Sequence, residues 1–123
     1  MSAVAAALGG SKGTLWTYFP SKELGATGLS IFGDHGSGDV SIEVRSFAPS
    51  CGVEEDPVCG SGNGSVAVFR HLNGMLASEG GAYLAAQGRK VGRDCRIAIG
   101  VDGAGMVTVG GACVTCVNGV LRL

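Results

Sequence analysis

The sequence predicts an α+β fold in which several antiparallel strands wrap one buried helix. Three observations predict it. Glycine supplies 23 of 123 residues beside only 3 prolines and with no Gly-X-Y period; it is interspersed with Val, Ile, Leu and Thr, the pattern of short strands joined by tight turns. Residues 40–47 alternate apolar and polar side chains, the mark of a half-buried strand. Residues 65–76 carry Val66, Ala67, Val68, Phe69, Leu72, Met75 and Leu76 around most of a helical circumference, and a short helix that is apolar on most sides belongs inside a core.

The elements follow in order. Residues 4–8 are Ala-rich and helix-prone. Gly9 and Gly10 break that segment, Ser11 is placed to cap a second short helix through Phe19, and Pro20 ends it. Residues 29–32 form an apolar run, residues 33–38 a Gly-rich turn, and residues 40–47 the alternating strand, together a hairpin. Residues 48–64 read as the one long loop. After the helix, residues 83–87, 95–101, 106–109, 112–117 and 120–123 are strand-like, with glycines at the turns. Two units follow: a helical extension over residues 1–24 and an α+β unit over 25–123.

Composition narrows the function classes. A chain of 123 residues with 46% hydrophobic content is one small folded domain, neither disordered nor dependent on disulfide staples. Formal net charge is −1, which gives no global attraction for nucleic acid or anionic membrane. No apolar run approaches the length of a membrane span, and no export signal is legible at the N-terminus. The five cysteines, Cys51, Cys59, Cys95, Cys113 and Cys116, are an odd number. Free thiols in a reducing, cytoplasmic compartment are therefore expected. Cys113 and Cys116 form a C-x-x-C within a strand-like run, where residues three apart face opposite sides. They are expected to be buried structural thiols rather than a redox pair, and no metal site is expected.

The segment that points to chemistry is Cys51-Gly-Val-Glu-Glu-Asp-Pro-Val-Cys59-Gly-Ser-Gly-Asn-Gly-Ser65. Gly60, Ser61, Gly62, Asn63 and Gly64 open the helix, and a helix N-terminus with closely approachable N–H groups attracts anions. A carboxylate-bearing substrate fits such a site. Cys59 lies at the same positive helix end, a position that favours thiolate. Asp56, fixed by Pro57 beside Glu54 and Glu55, is the acid/base candidate, because clustered carboxylates repel. No Lys follows the glycines, so this is not a phosphate loop. Of the histidines, His35 sits in a turn and is expected to be solvated, and His71 on the helix is expected to be a hydrogen-bonded structural residue. Arg89, Lys90, Arg93 and Arg96 read as a solvated loop face, with Arg93 a candidate to brace the fold through a carboxylate.

Val44-Arg-Ser-Phe-Ala-Pro49, Glu55-Asp-Pro-Val-Cys-Gly-Ser-Gly-Asn63, Tyr83-Leu-Ala-Ala-Gln-Gly88 with Gly92-Arg93, and Val109-Gly-Gly-Ala112 stand in the order and spacing of the PhzF-like isomerases of phenazine biosynthesis. The resemblance runs from about Gly28 to Leu123. It implies a diaminopimelate epimerase-like half, an antiparallel strand barrel around one central helix, and cofactor-independent proton transfer on a small carboxylate. Asp56 matches the family's acidic residue, and Ser61 with the Gly62–Gly64 amides matches its substrate-holding groups. Cys59 falls where epimerases and proline racemases carry a catalytic thiol. Only the C-terminal of the two related halves is matched, and the half with the principal glutamate base is not.

Residues 5–24 resemble the helix-turn-helix of TetR-type repressors, with Lys12, Thr14, Trp16, Tyr18 and Lys22 as the residues that would face DNA. Three readings follow. The first is an isomerase or epimerase module, catalytic through Asp56 and Cys59, substrate-binding through Ser61, Gly62, Asn63 and Gly64, needing no cofactor, and working as a homodimer whose second copy replaces the unmatched half. The second is a non-catalytic remnant or small-anion-binding module. The third is DNA contact through residues 5–24, against which the net charge weighs.

Overall fold

The computed structural model describes residues 3–6, 27–35 and 38–122, the first four by backbone only. The strands are β1 (Ala3–Ala6), β2 (Leu29–Asp34), β3 (Ile42–Ala48), β4 (Val53–Asp56), β5 (Ala82–Gln87), β6 (Cys95–Val101) and β7 (Val107–Gly110). One α-helix, α1 (Gly60–Leu72), lies between β4 and β5, and 3-10 turns cover Pro49–Cys51 and Arg89–Val91.

The strands form one sheet in the order β1-β2-β3-β5-β6-β7, with β4 also paired to β3. The β2–β3 hairpin pairs antiparallel, Leu29 with Phe47 through Asp34 with Ile42. β3 divides its other edge: Ile42, Glu43 and Val44 pair parallel with β5, and Ser46 and Ala48 pair antiparallel with β4 across a register shift. The sheet is therefore mixed, because β1–β2 and β3–β5 are parallel. A parallel pair needs a long crossover, and the chain from β4 through α1 supplies it for β3 and β5.

The expected barrel around a central helix is not found. The sheet path has ends at β1 and β7, and α1 packs against β2, β6 and β7 without being enclosed. Its inner face, Gly62, Asn63, Val66, Ala67 and Arg70, is buried, whereas Val68 is 44% and Leu72 77% exposed. The helix was expected to be apolar and covered nearly all round; it is covered on one side. The strands expected over residues 112–117 and 120–123 are also missing from the described residues, which end at 122. Residues 111–122 have no regular structure and are exposed, so strand-prone side chains there lack the neighbouring strand that would stabilise them. Cys113 and Cys116, expected to be buried, are exposed free thiols.

The remaining alternation holds. β3 buries Ile42 and Val44, and β6 buries Ile97, Ile99 and Val101, as a period of two requires. These residues meet Val66 and Ala67 of α1, with Phe32, Leu76, Tyr83 and Ala85, in one core. At the C-terminal end of α1, Arg70 donates two 3.0 Å hydrogen bonds to Glu79 and lies 4.4 Å from the Tyr83 ring centroid. The helix starts five residues earlier than the apolar pattern suggests and stops at Leu72, where Asn73 caps it and Gly74 takes φ +67°.

At the N-terminus, Ala3–Ala6 is a strand paired with β2, not the start of the helix expected over residues 4–8. Residues 7–26, with Lys12, Thr14, Trp16, Tyr18 and Lys22, lie outside the described residues, so the structure offers no support for a TetR-type segment. Among the described residues, no helix is long and apolar enough to cross a membrane.

Candidate functional site

Cys59 is the N-cap of α1. Its backbone is extended, φ −112° and ψ 101°, and its Sγ accepts the Gly62 N–H at 3.3 Å. The Asn63 N–H is taken by the Cys59 carbonyl at 3.0 Å. Of the helix's first-turn donors, that of Ser61 remains beside the cavity described below, whereas Gly60 lines the outer side of the helix. Ser61 Oγ lies 3.6 Å from Cys59 Sγ.

Gly62 is required at its position. A Cβ there would come 2.6 Å from both Ser30 Oγ and Ser46 Oγ and 3.0 Å from Cys59 Sγ. The two serines are bonded to each other at 2.9 Å, one on β2 and one on β3, and their register pairs them directly across the hairpin. The helix thus sets its first turn on a polar floor that admits no side chain.

Asp56 ends β4, opposite Ser46. Its Oδ1 accepts the Val58 N–H at 3.0 Å, which fixes the carboxylate just before Pro57. Neighbours along a strand point to opposite faces, and here that separates the acidic run. Glu55 turns away to accept two hydrogen bonds from Arg45, at 2.9 and 2.8 Å, with only 5% of its side chain exposed. Those bonds raise the Arg45 guanidinium above its ordinary value against the opposing effect of burial. The acidic triplet is therefore not one repelling cluster: Glu55 is paired with Arg45.

Gln87, wholly buried at the end of β5, ties the segment together. Its Oε1 accepts the Cys59 N–H at 3.3 Å and Asn63 Nδ2 at 2.7 Å. Its Nε2 donates to the Asp56 carbonyl at 2.8 Å. One side chain thereby fixes the backbone on both sides of Pro57 and Val58.

A cavity of about 300 Å³ opens beside these residues, and Asp56, Cys59, Ser61 and Gly62 all line it. Ser30, Ser46 and Cys51 line it too, with Leu29, Phe47 and Val53 among its apolar walls. Four of the six residues singled out from sequence thus converge. The other two lie elsewhere. Asn63 is 1% exposed and also bonds the Cys59 carbonyl at 2.9 Å, and Gly64 faces a second groove along the outer side of α1. Ser30, Ser46 and Gln87 escaped the sequence reading. The available signal was a lone polar residue inside or closing an apolar strand, as in Leu29-Ser-Ile-Phe32 and Tyr83-Leu-Ala-Ala-Gln87. His71, expected to be a hydrogen-bonded structural residue, is exposed beside Gly105. Among the described residues, no group of three His, Cys, Asp or Glu side chains is arranged to hold a metal.

Comparison with known proteins places this geometry. Residues 22–119 match the profile of the PhzC-PhzF family, phenazine biosynthesis-like protein. The chain is 40% identical over 103 residues to "uncharacterized isomerase C186.06" of Schizosaccharomyces pombe, covering 79% of this chain and 55% of that protein. It is 32% identical over 100 residues to "uncharacterized isomerase YddE" of Escherichia coli O157:H7, covering 76% and 33%. A third relative, "antisense-enhancing sequence 1" of S. pombe, is 36% identical over 96 residues, covering 75% and 31%. A solved structure from Clostridium difficile (strain 630), named for phenazine biosynthesis PhzC/PhzF, superposes with TM-score 0.62 at 18% identity, over 99% of this chain and 45% of that one; at that identity it speaks for the fold. The chain thus spans between about a third and about half the length of the curated relatives it matches. It belongs to the phenazine biosynthesis-like PhzC-PhzF family.

Proposed function

We propose that this chain is an isomerase or epimerase module that moves a proton at a carbon beside a carboxylate, with no cofactor, on a small substrate held at the mouth of α1. The observation that carries the reading is the convergence of Asp56, Cys59, Ser61 and Gly62 on one cavity at a helix N-terminus. The isomerase names of two relatives support it.

The substrate carboxylate would accept hydrogen bonds from the Ser61 N–H and the Ser61 hydroxyl, where the helix end favours negative charge. Asp56 would take the proton from the adjacent carbon. The electron pair left behind spreads into the carboxylate, whose growing charge the same donors stabilise. Returning a proton to the opposite face takes an acid on that side. In a homodimer the Cys59 thiol of a second copy would supply it across one cleft, the twofold axis standing in for a second half.

Solvent deuterium exchange into amino-acid and dihydroaromatic carboxylates tests the reading. Exchange at the carbon beside the carboxylate is expected, with a loss of about 100-fold or more in Asp56→Asn and in Cys59→Ala. No exchange into any such acid, with carboxylate binding retained, would leave a small-anion-binding module instead.

A further inference from the structure

We propose that residues 112–121 of one copy form a strand along β7 of a second copy and cover its α1, a reciprocal exchange that closes each sheet over its helix. The inference rests on the two-copy part of the reading above, not on its chemistry.

Among the described residues, two unpartnered apolar features do not meet. One is the tail after β7. Val114, Val117, Val120 and Leu121 are each more than 80% exposed, although the run Ala112-Cys-Val-Thr-Cys-Val117 is strand-prone. The other is a shallow groove of about 680 Å³ between the outer face of α1 and β7, lined by Ser65, Val68, Leu72, Val107 and Val109 among others. The groove lies against an open edge, because among the described residues β7 pairs with β6 alone and ends the sheet. An open edge presents unpaired N–H and C=O groups to an incoming strand.

Length and charge both fit. The 13 residues of α1 run about 20 Å at 1.5 Å per residue. Residues 112–117 run about 20 Å as a strand at 3.3 Å per residue, enough to overlap the four residues of β7, about 13 Å, and to continue along the helix. The groove lining carries no ionisable side chain, and residues 112–121 carry none beyond the two thiols. A second copy is the occupant that uses both features: each chain offers one groove and one tail, so a twofold pair buries two of each with none left over. Ser61 lines both the groove and the candidate site, so an occupied groove places the second copy beside the mouth of α1.

The test reads association in the full-length chain. Light scattering after gel filtration at tens of micromolar should show a dimer. The Val114→Asp/Val117→Asp variant and Leu72→Asp should each weaken it about tenfold or more, since a charge would be buried unpaired, with circular dichroism losing no more than the strand signal of residues 112–121, because these side chains lie outside the core. Leu72→Cys treated with diamide, which takes up the two thiol hydrogens as the disulfide forms, should give an interchain link. That link should disappear when Cys113→Ser and Cys116→Ser are added. A dimer that survives both sets of aspartates overturns this interface and leaves the two-copy reading standing. An intact chain that stays monomeric at high micromolar concentration overturns both. A link formed within one chain instead shows the tail folding back on its own groove, and overturns the exchange.

Discussion

Asn63 and Gln87 share a 2.7 Å hydrogen bond in the interior, Nδ2 of Asn63 donating to Oε1 of Gln87. The two residues are 1% and 0% exposed. Through it the start of α1 is bound to the end of β5, and Gln87 extends the link to Cys59 and to the Asp56 carbonyl. Gln87 touches none of the reacting groups' own atoms; it is a positioning residue for the backbone that carries them.

Gln87→Leu should therefore cost about 3 kcal/mol or more, since it strands the Cys59 N–H, the Asn63 amide and the Asp56 carbonyl at once, and each unsatisfied buried group costs about 1–3 kcal/mol. Urea unfolding at constant m reads it. A cost below about 1 kcal/mol would show that the network contributes little.

Gly62→Ala should destabilise by about 1–3 kcal/mol, the usual range for overpacking, because its Cβ has no room above Ser30 and Ser46. Adding Ser30→Ala and Ser46→Ala to Gly62→Ala removes the two hydroxyls and should recover part of that loss. Equal stability with and without the serines would remove the close approach as the cause.

Glu55 and Asp56 should part company in the exchange assay. Glu55 is held by Arg45 on the other face of β4 and does not line the cavity, so Glu55→Gln should leave exchange close to that of the parent. Asp56→Asn should abolish it. Similar losses in both would assign the chemistry to the acidic segment as a whole.

Glu79→Gln should cost about 3 kcal/mol, because it leaves the Arg70 guanidinium, 6% exposed, without its charged partner. Thermal unfolding checks it. The double variant Arg70→Met/Glu79→Gln should be more stable than Glu79→Gln alone, since no buried charge then remains. If the double variant is the weaker of the two, the ion pair is not what makes the single change costly.

Tyr83 sets an alkaline limit. Burial raises its phenol above the ordinary value, while the nearby Arg70 works in the opposite direction. The unfolded chain then loses the phenolic proton before the folded one does. The contribution is complete below the unfolded value of about 10 and is lost as pH rises through the higher folded value. Its hydroxyl is buried and makes no well-formed hydrogen bond among the described residues, so Tyr83→Phe should be near-neutral at pH 7 and should flatten the fall in stability above about pH 10. An unchanged alkaline slope would show that Tyr83 does not govern it.

The sequence by itself determined the hairpin of β2 and β3, the buried alternation of β3 and β6, and the segment where Asp56, Cys59, Ser61 and Gly62 gather. Period-two patterning and turn chemistry are local, and so is the run Glu55-Asp-Pro-Val-Cys-Gly-Ser-Gly-Asn63 that carries the family. Only the tertiary structure decided the rest. Whether a strand-prone run such as Ala112-Cys-Val-Thr-Cys-Val117 becomes a strand depends on a neighbour to bond, and among the described residues it has none; the same lack leaves the sheet open and the outer side of α1 bare. The turning of Glu55 away from Asp56 and the burial of Asn63 against Gln87 depend on partners 10 and 24 residues distant in sequence. Such contacts leave no periodic trace, because long-range hydrogen bonds constrain where a side chain points and not which residues stand beside it.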